Sequence, residues 1–180
     1  MKFKSYVAAT TLLVAASAAV MAADKNPADL NDLEIAHVAY TADNIDIRYA
    51  HLALALSTNP EIHEFANTMI RDHSAVNEKA LALLKKLKAA PQDNFLSQQL
   101  NRQAETTIKK MSKLRGNSFD RAYAENELGY HKAVNGLVGD AFIPNIENAE
   151  VKALFEVGYG IFKAHENHAE MMVKAVSMKK

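Results

Sequence analysis

Between residues 62 and 87 apolar side chains recur in alternating steps of four and three. The series is Ile62, Ala66, Met69, Val76, Ala80, Leu83 and Leu87, with a histidine, His73, holding the place between Met69 and Val76. That period lays one apolar stripe along a helix. The same reading predicts five helices, over about residues 30–57, 60–89, 95–114, 119–142 and 148–177. The first carries the stripe Ile35, Ala39, Ala42, Asp46, Tyr49, Ala53 and Leu56. The third is more polar, with the thinner stripe Leu96, Leu100, Ala104, Thr107, Met111 and Leu114. The fifth carries Val151, Leu154, Gly158, Ile161, His165, His168, Met172 and Ala175. No strand is predicted.

Turn signals separate these segments. Asn59 is an N-cap, Pro60 suits the first helical position and Glu61 complements the helix dipole. Pro91 stops the second helix, Gly116 caps the end of the third, Ser118 opens the fourth, and "IPNIEN" turns into the fifth. Long helices joined by short turns bury their stripes by packing antiparallel. The expected fold is all-α, an antiparallel four-helix bundle. Helices one and two form one hairpin and four and five another, with helix three as an additional connecting helix.

Each long helix places an ionisable group in its apolar seam: Asp46, His73, His131, and His165 with His168. His131 has Ala124, Glu127, Leu128, Val134, Asn135 and Val138 at helical neighbour spacings. Burying a lone ionisable group costs several kcal/mol, on the order of 2–7, unless it is paired, neutralised or metal-bound. Four such groups on four helices suggest a shared divalent metal, since imidazoles and a carboxylate suit zinc, copper or iron. A softer face, His165, His168 and Met172 in "HENHAEMM", favours copper. The alternative is a polar seam that only fixes helix pairing, with Asp46 and His73 as a hydrogen-bonded pair near one height. Measured from a turn at Asn145, His131 falls lower on its helix than His165 by a turn or more.

The remaining histidines are expected outside the seam: His37 solvated, His63 exposed in the first turn of its helix, His51 ambiguous. A dinuclear iron site needs Glu-x-x-His on two helices and Glu on two more. Glu34-Ile-Ala-His37 fits the string but points outward, Glu127 and His131 are spaced by four, and the second helix has no seam glutamate. No phosphate loop, serine elbow or paired-carboxylate pattern is present, so no catalytic residue is assigned and an enzyme is not the expected class.

Charge and composition narrow the class further. With 21 basic and 21 acidic side chains, no nucleic-acid partner is implied. The absence of cysteine excludes disulfides, thiolate metal sites and thiol nucleophiles. Lys2 and Lys4, the uncharged run 6–21 and Val20-Met21-Ala22 together form a secretory signal, expected to end at residue 22 and to leave a single domain over 23–180. The mature chain is therefore expected in the periplasm, without an integral membrane span, at most peripheral to the outer membrane. The runs Lys85–Lys88 and Ile108–Arg115 read as solvated helix faces, with a partner or membrane-surface patch as the alternative; a protein partner or a second copy of the chain is compatible with the sequence.

Four pieces of the chain carry a resemblance: "FANTMIRDHSAVNEKAL" from Phe65, "GNSFDRAY" from Gly116, then His131, and finally His165. They resemble a bacterial family of exported proteins known as a domain of unknown function (number 4142), whose members are often labelled outer-membrane proteins. The resemblance spans nearly all of the mature chain and implies a ferritin-like helical fold. It implies recurring polar positions at Asp46, His73, Asp120, Tyr123, His131 and His165, with Asp46 standing where members usually have glutamate. Tyr159-Gly160 stands where members usually have Leu-Pro. The expected role is an exported ferritin-like bundle that binds a transition metal through inward His and Asp, for sequestration or stress protection. Its rival is a non-catalytic envelope protein.

Overall fold

Asparagine opens four of the five helices. The computed structural model describes residues 26–178, so the expected secretory signal lies outside the described residues. After a short 3₁₀ turn, Pro27–Asp29, the helices are α1 (Asp32–Leu56), α2 (Pro60–Lys86), α3 (Phe95–Met111), α4 (Gly116–Leu137) and α5 (Ala149–Met178). Asn31 caps α1 in a capping box with Glu34, and Asn94 caps α3 in one with Ser97. Asn59 accepts from the Glu61 amide, and Asn148 from those of Glu150 and Val151. Each cap satisfies amides that the helix itself leaves unpaired. No strand occurs among the described residues.

Two helix ends differ from the sequence reading. α4 begins at Gly116, whose φ of 55° makes the left-handed turn after α3; Arg115 holds the cap position without a side-chain bond, and Ser118 lies inside the first turn. α2 ends at Lys86, short of the expected end near residue 89, and the turn at Lys88 rather than Pro91 stops it. Lys88 takes a φ of 54°, Ala89 N–H bonds Leu84 O and Lys88 N–H bonds Lys85 O, the pairing of a Schellman cap.

α1 packs on α2, α2 on α5, α5 on α4 and α4 on α1, closing a ring of four helices. α3 lies outside the ring, chiefly against α1. It starts beside the first turn of α1, where Asn94 Nδ2 donates to Glu34 O, and farther along both helices Arg48 meets Glu105. α3 therefore runs parallel to α1 and carries the chain back along the bundle, so that α4 starts level with the far end of α1. There the Ser57 hydroxyl donates to buried Asp120 at 2.7 Å.

Two apolar layers fill the interior. One gathers Tyr49, Phe65, Met69, Phe119, Tyr123 and Met172. The other gathers Ile35, Val38, Leu96, Val138, Phe142 and Val151. Between them, at the level of Asp46, His73, His131 and His165, lies a layer of buried polar side chains. Among the described residues, no helix is long and apolar enough to cross a membrane.

Candidate metal centre

Register decides which groups meet in the polar layer. A π-helical turn, Val138–Phe142, continues α4, and Ile146 N–H still bonds back to Phe142 O. α5 opens only at Ala149, so the reversal takes in residues 143–148 and is not confined to Asn145. Asn148 lies midway in sequence between His131 and His165, and their ring centroids stand 5.6 Å apart. The offset expected between these two histidines does not keep their rings apart. His73 completes the trio, 5.9 Å from His131 and 5.3 Å from His165 by ring centroids.

Each of these three rings is fixed through one nitrogen. His73 Nδ1 donates to Asp43 Oδ1 at 2.7 Å, His131 Nδ1 to the Glu127 carbonyl at 2.9 Å, and His165 Nε2 to Asp72 Oδ2 at 2.9 Å. The other nitrogen of each ring, Nε2 of His73, Nε2 of His131 and Nδ1 of His165, is buried without a hydrogen-bond partner. One ring nitrogen from each histidine lies within 4.8 Å of the others. Asp46 Oδ2 stands 2.9 Å from His73 Nε2 and 3.2 Å from His131 Nε2, but neither contact has the angle of a hydrogen bond. A second group of donors overlaps the first: Asp46, Glu127 and His131, also within 4.8 Å.

The charge state follows from this crowding. Burial opposes charge on His73, but Asp46 and Asp43 on either side outweigh it and hold its pKa at about 10. Burial likewise opposes ionisation of Asp46, yet His73 and His131 hold its carboxyl down at about 2. Burial, with the negative Asp46 beside it, pushes Glu127 well above the carboxylate range. Burial pushes His131 down, and it takes His165 to about 4 against the pull of Asp72. Near neutral pH the metal-free layer thus holds an imidazolium between two aspartates, a neutral glutamic acid and two neutral imidazoles.

The other residues singled out from sequence stand apart. His168 turns its ring edge-on to Phe65, centroids 5.0 Å apart, and belongs to neither donor group. Met172 lies in the apolar layer with Phe65 and Tyr123. Beyond His165 the buried face of α5 passes through Ala169, Met172 and Val176, a step of four where the sequence reading took three, which leaves His168 to one side. His63, expected exposed, is half-buried and donates from Nε2 to Ser57 O at 2.8 Å. His37, expected solvated, is half-buried with Nδ1 3.6 Å from Asp93; His51 is exposed.

Four participants were not in the sequence-derived set. Asp43 lies one turn before Asp46 and Glu127 one turn before His131, spacings that share a helix face and were available as signals. Asp72 adjoins His73 and carries no comparable signal. Asn135, buried one turn after His131, donates to Phe162 O and Glu166. Asp120 and Tyr123, implied by the resemblance, lie toward the Phe65 layer, where Tyr123 stacks on Phe119.

The sequence model of a family described as Domain of unknown function (DUF4142) matches residues 16–172. No curated protein and no solved structure matches the chain.

Proposed function

We propose that this chain, which belongs to the family described as Domain of unknown function (DUF4142), binds a divalent transition-metal ion between α1, α2, α4 and α5. The observation that carries the reading is the pairing of nitrogens. Three buried histidines from three helices each fix one ring nitrogen on an oxygen and leave the other unpartnered, and one nitrogen of each ring lies within 4.8 Å of the others. Metal-ligating histidines behave this way, because an oxygen acceptor on the far nitrogen sets tautomer and ring orientation. His73, His131 and His165 would supply nitrogens and Asp46 an oxygen, a donor set suited to zinc and, within the same series, to iron(II) or copper(II). Four protein donors close a tetrahedral site, whereas catalytic zinc keeps a position open. The arrangement therefore favours holding the ion, as sequestration or structural support in an exported compartment, over turning over a substrate.

A second reading has its own support. The proton on His73, held between Asp43 and Asp46, already compensates buried charge without any ion. On that reading the layer is a polar lock that fixes helix register in an envelope protein.

Metal analysis of untagged protein from the periplasm, followed by titration of the metal-free form with zinc, iron(II) and copper(II), separates the two. Metal binding gives stoichiometric uptake that His73→Ala and His165→Ala each abolish, and a raised melting temperature, because a ligand specific to the folded state stabilises it. No uptake at micromolar metal, with an unchanged melting curve, leaves the polar lock.

A further inference from the structure

α5 buries the face that carries Gly158, Phe162, His165, Ala169 and Met172 and turns the opposite face to solvent. That outer face is not a charged one. Ala153, Val157, Gly160, Ala164, Asn167 and Met171 recur along it in alternating steps of four and three, all exposed, and Lys174 and Met178 continue the line. Three of the four large apolar side chains exposed among the described residues, Val157, Met171 and Met178, lie on it. A Cβ at Gly160 would meet nothing within 4 Å, so no contact inside this chain calls for glycine there, although glycine weakens a helix interior. A repeat of four and three is the spacing by which one helix packs along another. Here it runs without a partner for about 38 Å at the helical rise.

Two features select a second copy of α5, running the opposite way, as what covers this line. First, turned end for end about a twofold axis between residues 165 and 166, the line complements itself. Gly160 falls opposite the partner's Met171, Ala153 opposite the partner's Met178, and Ala164 opposite the partner's Asn167. Val157 falls opposite the aliphatic stem of the partner's Lys174. Small residues thus meet long ones, as interdigitation requires, and the axis repeats every contact. Parallel, in-register pairing would instead set Gly160 against Gly160, Met171 against Met171 and Lys174 against Lys174, leaving gaps beside crowded layers and a like-charge contact.

Second, the flanks agree with the same axis. Glu156, Lys163 and Glu170 follow one edge of the line at intervals of seven residues, all exposed. The antiparallel register brings Lys163 beside the partner's Glu170, and Glu170 beside the partner's Lys163. In the single chain these two pair only along their own helix, with Glu166 and Lys174. The other edge carries Leu154 and Ile161, half-buried and apolar.

We propose that α5 of one copy pairs antiparallel with α5 of a second, forming a twofold dimer centred between residues 165 and 166. The inference does not depend on metal binding, because His165 belongs to the buried face of the helix.

Sedimentation equilibrium of metal-free protein from the periplasm reads the association, and a concentration-dependent dimer is expected. Ala164→Glu, beside the axis, sets like charges facing each other and should weaken the dimer at least about ten-fold. Gly160→Leu, which crowds the partner's Met171, should weaken it as well. Both positions are exposed in the single chain, so both variants should still melt cooperatively; should one fail to fold, the other decides. Orientation is read from introduced cysteines, since the chain has none of its own. Gly160→Cys combined with Met171→Cys should oxidise to a covalent dimer. Met171→Cys alone should not, because the antiparallel register holds the two positions about 16 Å apart along the helices, beyond the reach of a disulfide. A monomer at every concentration, a dimer indifferent to both Ala164→Glu and Gly160→Leu, or ready cross-linking through Met171→Cys alone would each overturn the proposal.

Discussion

His73 Nδ1 sits 2.7 Å from Asp43 Oδ1, with both side chains buried. Asp43 is placed to hold His73 by its far nitrogen, so its effect on metal should exceed its effect on folding. Asp43→Asn keeps the shape and an acceptor oxygen but removes the charge. Metal affinity is expected to fall about ten- to a hundred-fold, as when an outer acceptor of a ligating histidine is lost. Stability of the metal-free protein should drop by about 1–3 kcal/mol. Parallel metal titration and urea denaturation measure both; equal affinity in the two proteins would remove Asp43 from any role at the centre.

His165 and His168 are three residues apart on α5 and should separate cleanly by function. His165→Ala is expected to abolish stoichiometric uptake. His168→Ala should leave uptake intact and cost about 1 kcal/mol, the scale of its edge contact with Phe65. Met172→Ala should cost about 2–5 kcal/mol through the cavity it leaves, and Met172→Leu under about 1.5 kcal/mol. Metal content and denaturation of the four variants test the set. Loss of copper binding in Met172→Leu would restore the thioether as a ligand.

The pH dependence follows from His73. Its pKa is about 10 folded against 6.5 for a free histidine, so between those values the folded protein holds a proton that the unfolded chain has released. Stability from this group is complete below pH 6.5 and is lost as pH rises through 10. Its size is on the order of a few kcal/mol. Bound metal replaces that proton, so uptake should release protons and affinity should rise with pH over the same window. Denaturation of metal-free and metal-loaded protein at pH 6.5, 8 and 9.5 should show the metal-free form weakening and the gap widening. A flat metal-free profile above pH 6.5 would mean that His73 is not held charged.

The seam groups Asp46, His73, His131 and His165 were legible because one apolar stripe per helix is a strong signal, and a polar residue within it stands out. Asp43, one turn before Asp46, was available as a signal but was passed over, because α1 is buried against three helices and a single-stripe reading follows only one line of residues along it. Glu127 failed against a template that demands a spacing of three, although a spacing of four also shares a face. Asp72 reads as solvent-facing until α5 brings His165 onto it. The expected offset between His131 and His165 arose from counting both helices from Asn145 at the ordinary α-helical rise, a count that the π-helical turn Val138–Phe142 and the non-helical residues 146–148 break. Local pattern specified which faces are buried; the chain reversals specified which residues meet.

Glu127 allows the protonation of the polar layer to be tested without disturbing its packing. Its side chain is fully buried, and burial together with Asp46 keeps it protonated. Because its folded pKa lies above its unfolded value, the folded state holds an extra proton once pH exceeds about 4.5, and stability declines as pH rises above that point. Glu127→Gln substitutes a neutral amide of nearly the same shape for a group that is already neutral. The metal-free variant is therefore expected to match or exceed the original in stability at pH 7, and to lose less between pH 5 and 7. The slope due to His73 above pH 6.5 should persist, since Asp43 and Asp46 are untouched. Urea denaturation across pH 5 to 9 reads both parts of the curve. A loss of more than about 2 kcal/mol at pH 7 would point to an ionised, functionally paired carboxylate at this position, and the protonation pattern described for the polar layer would have to be abandoned.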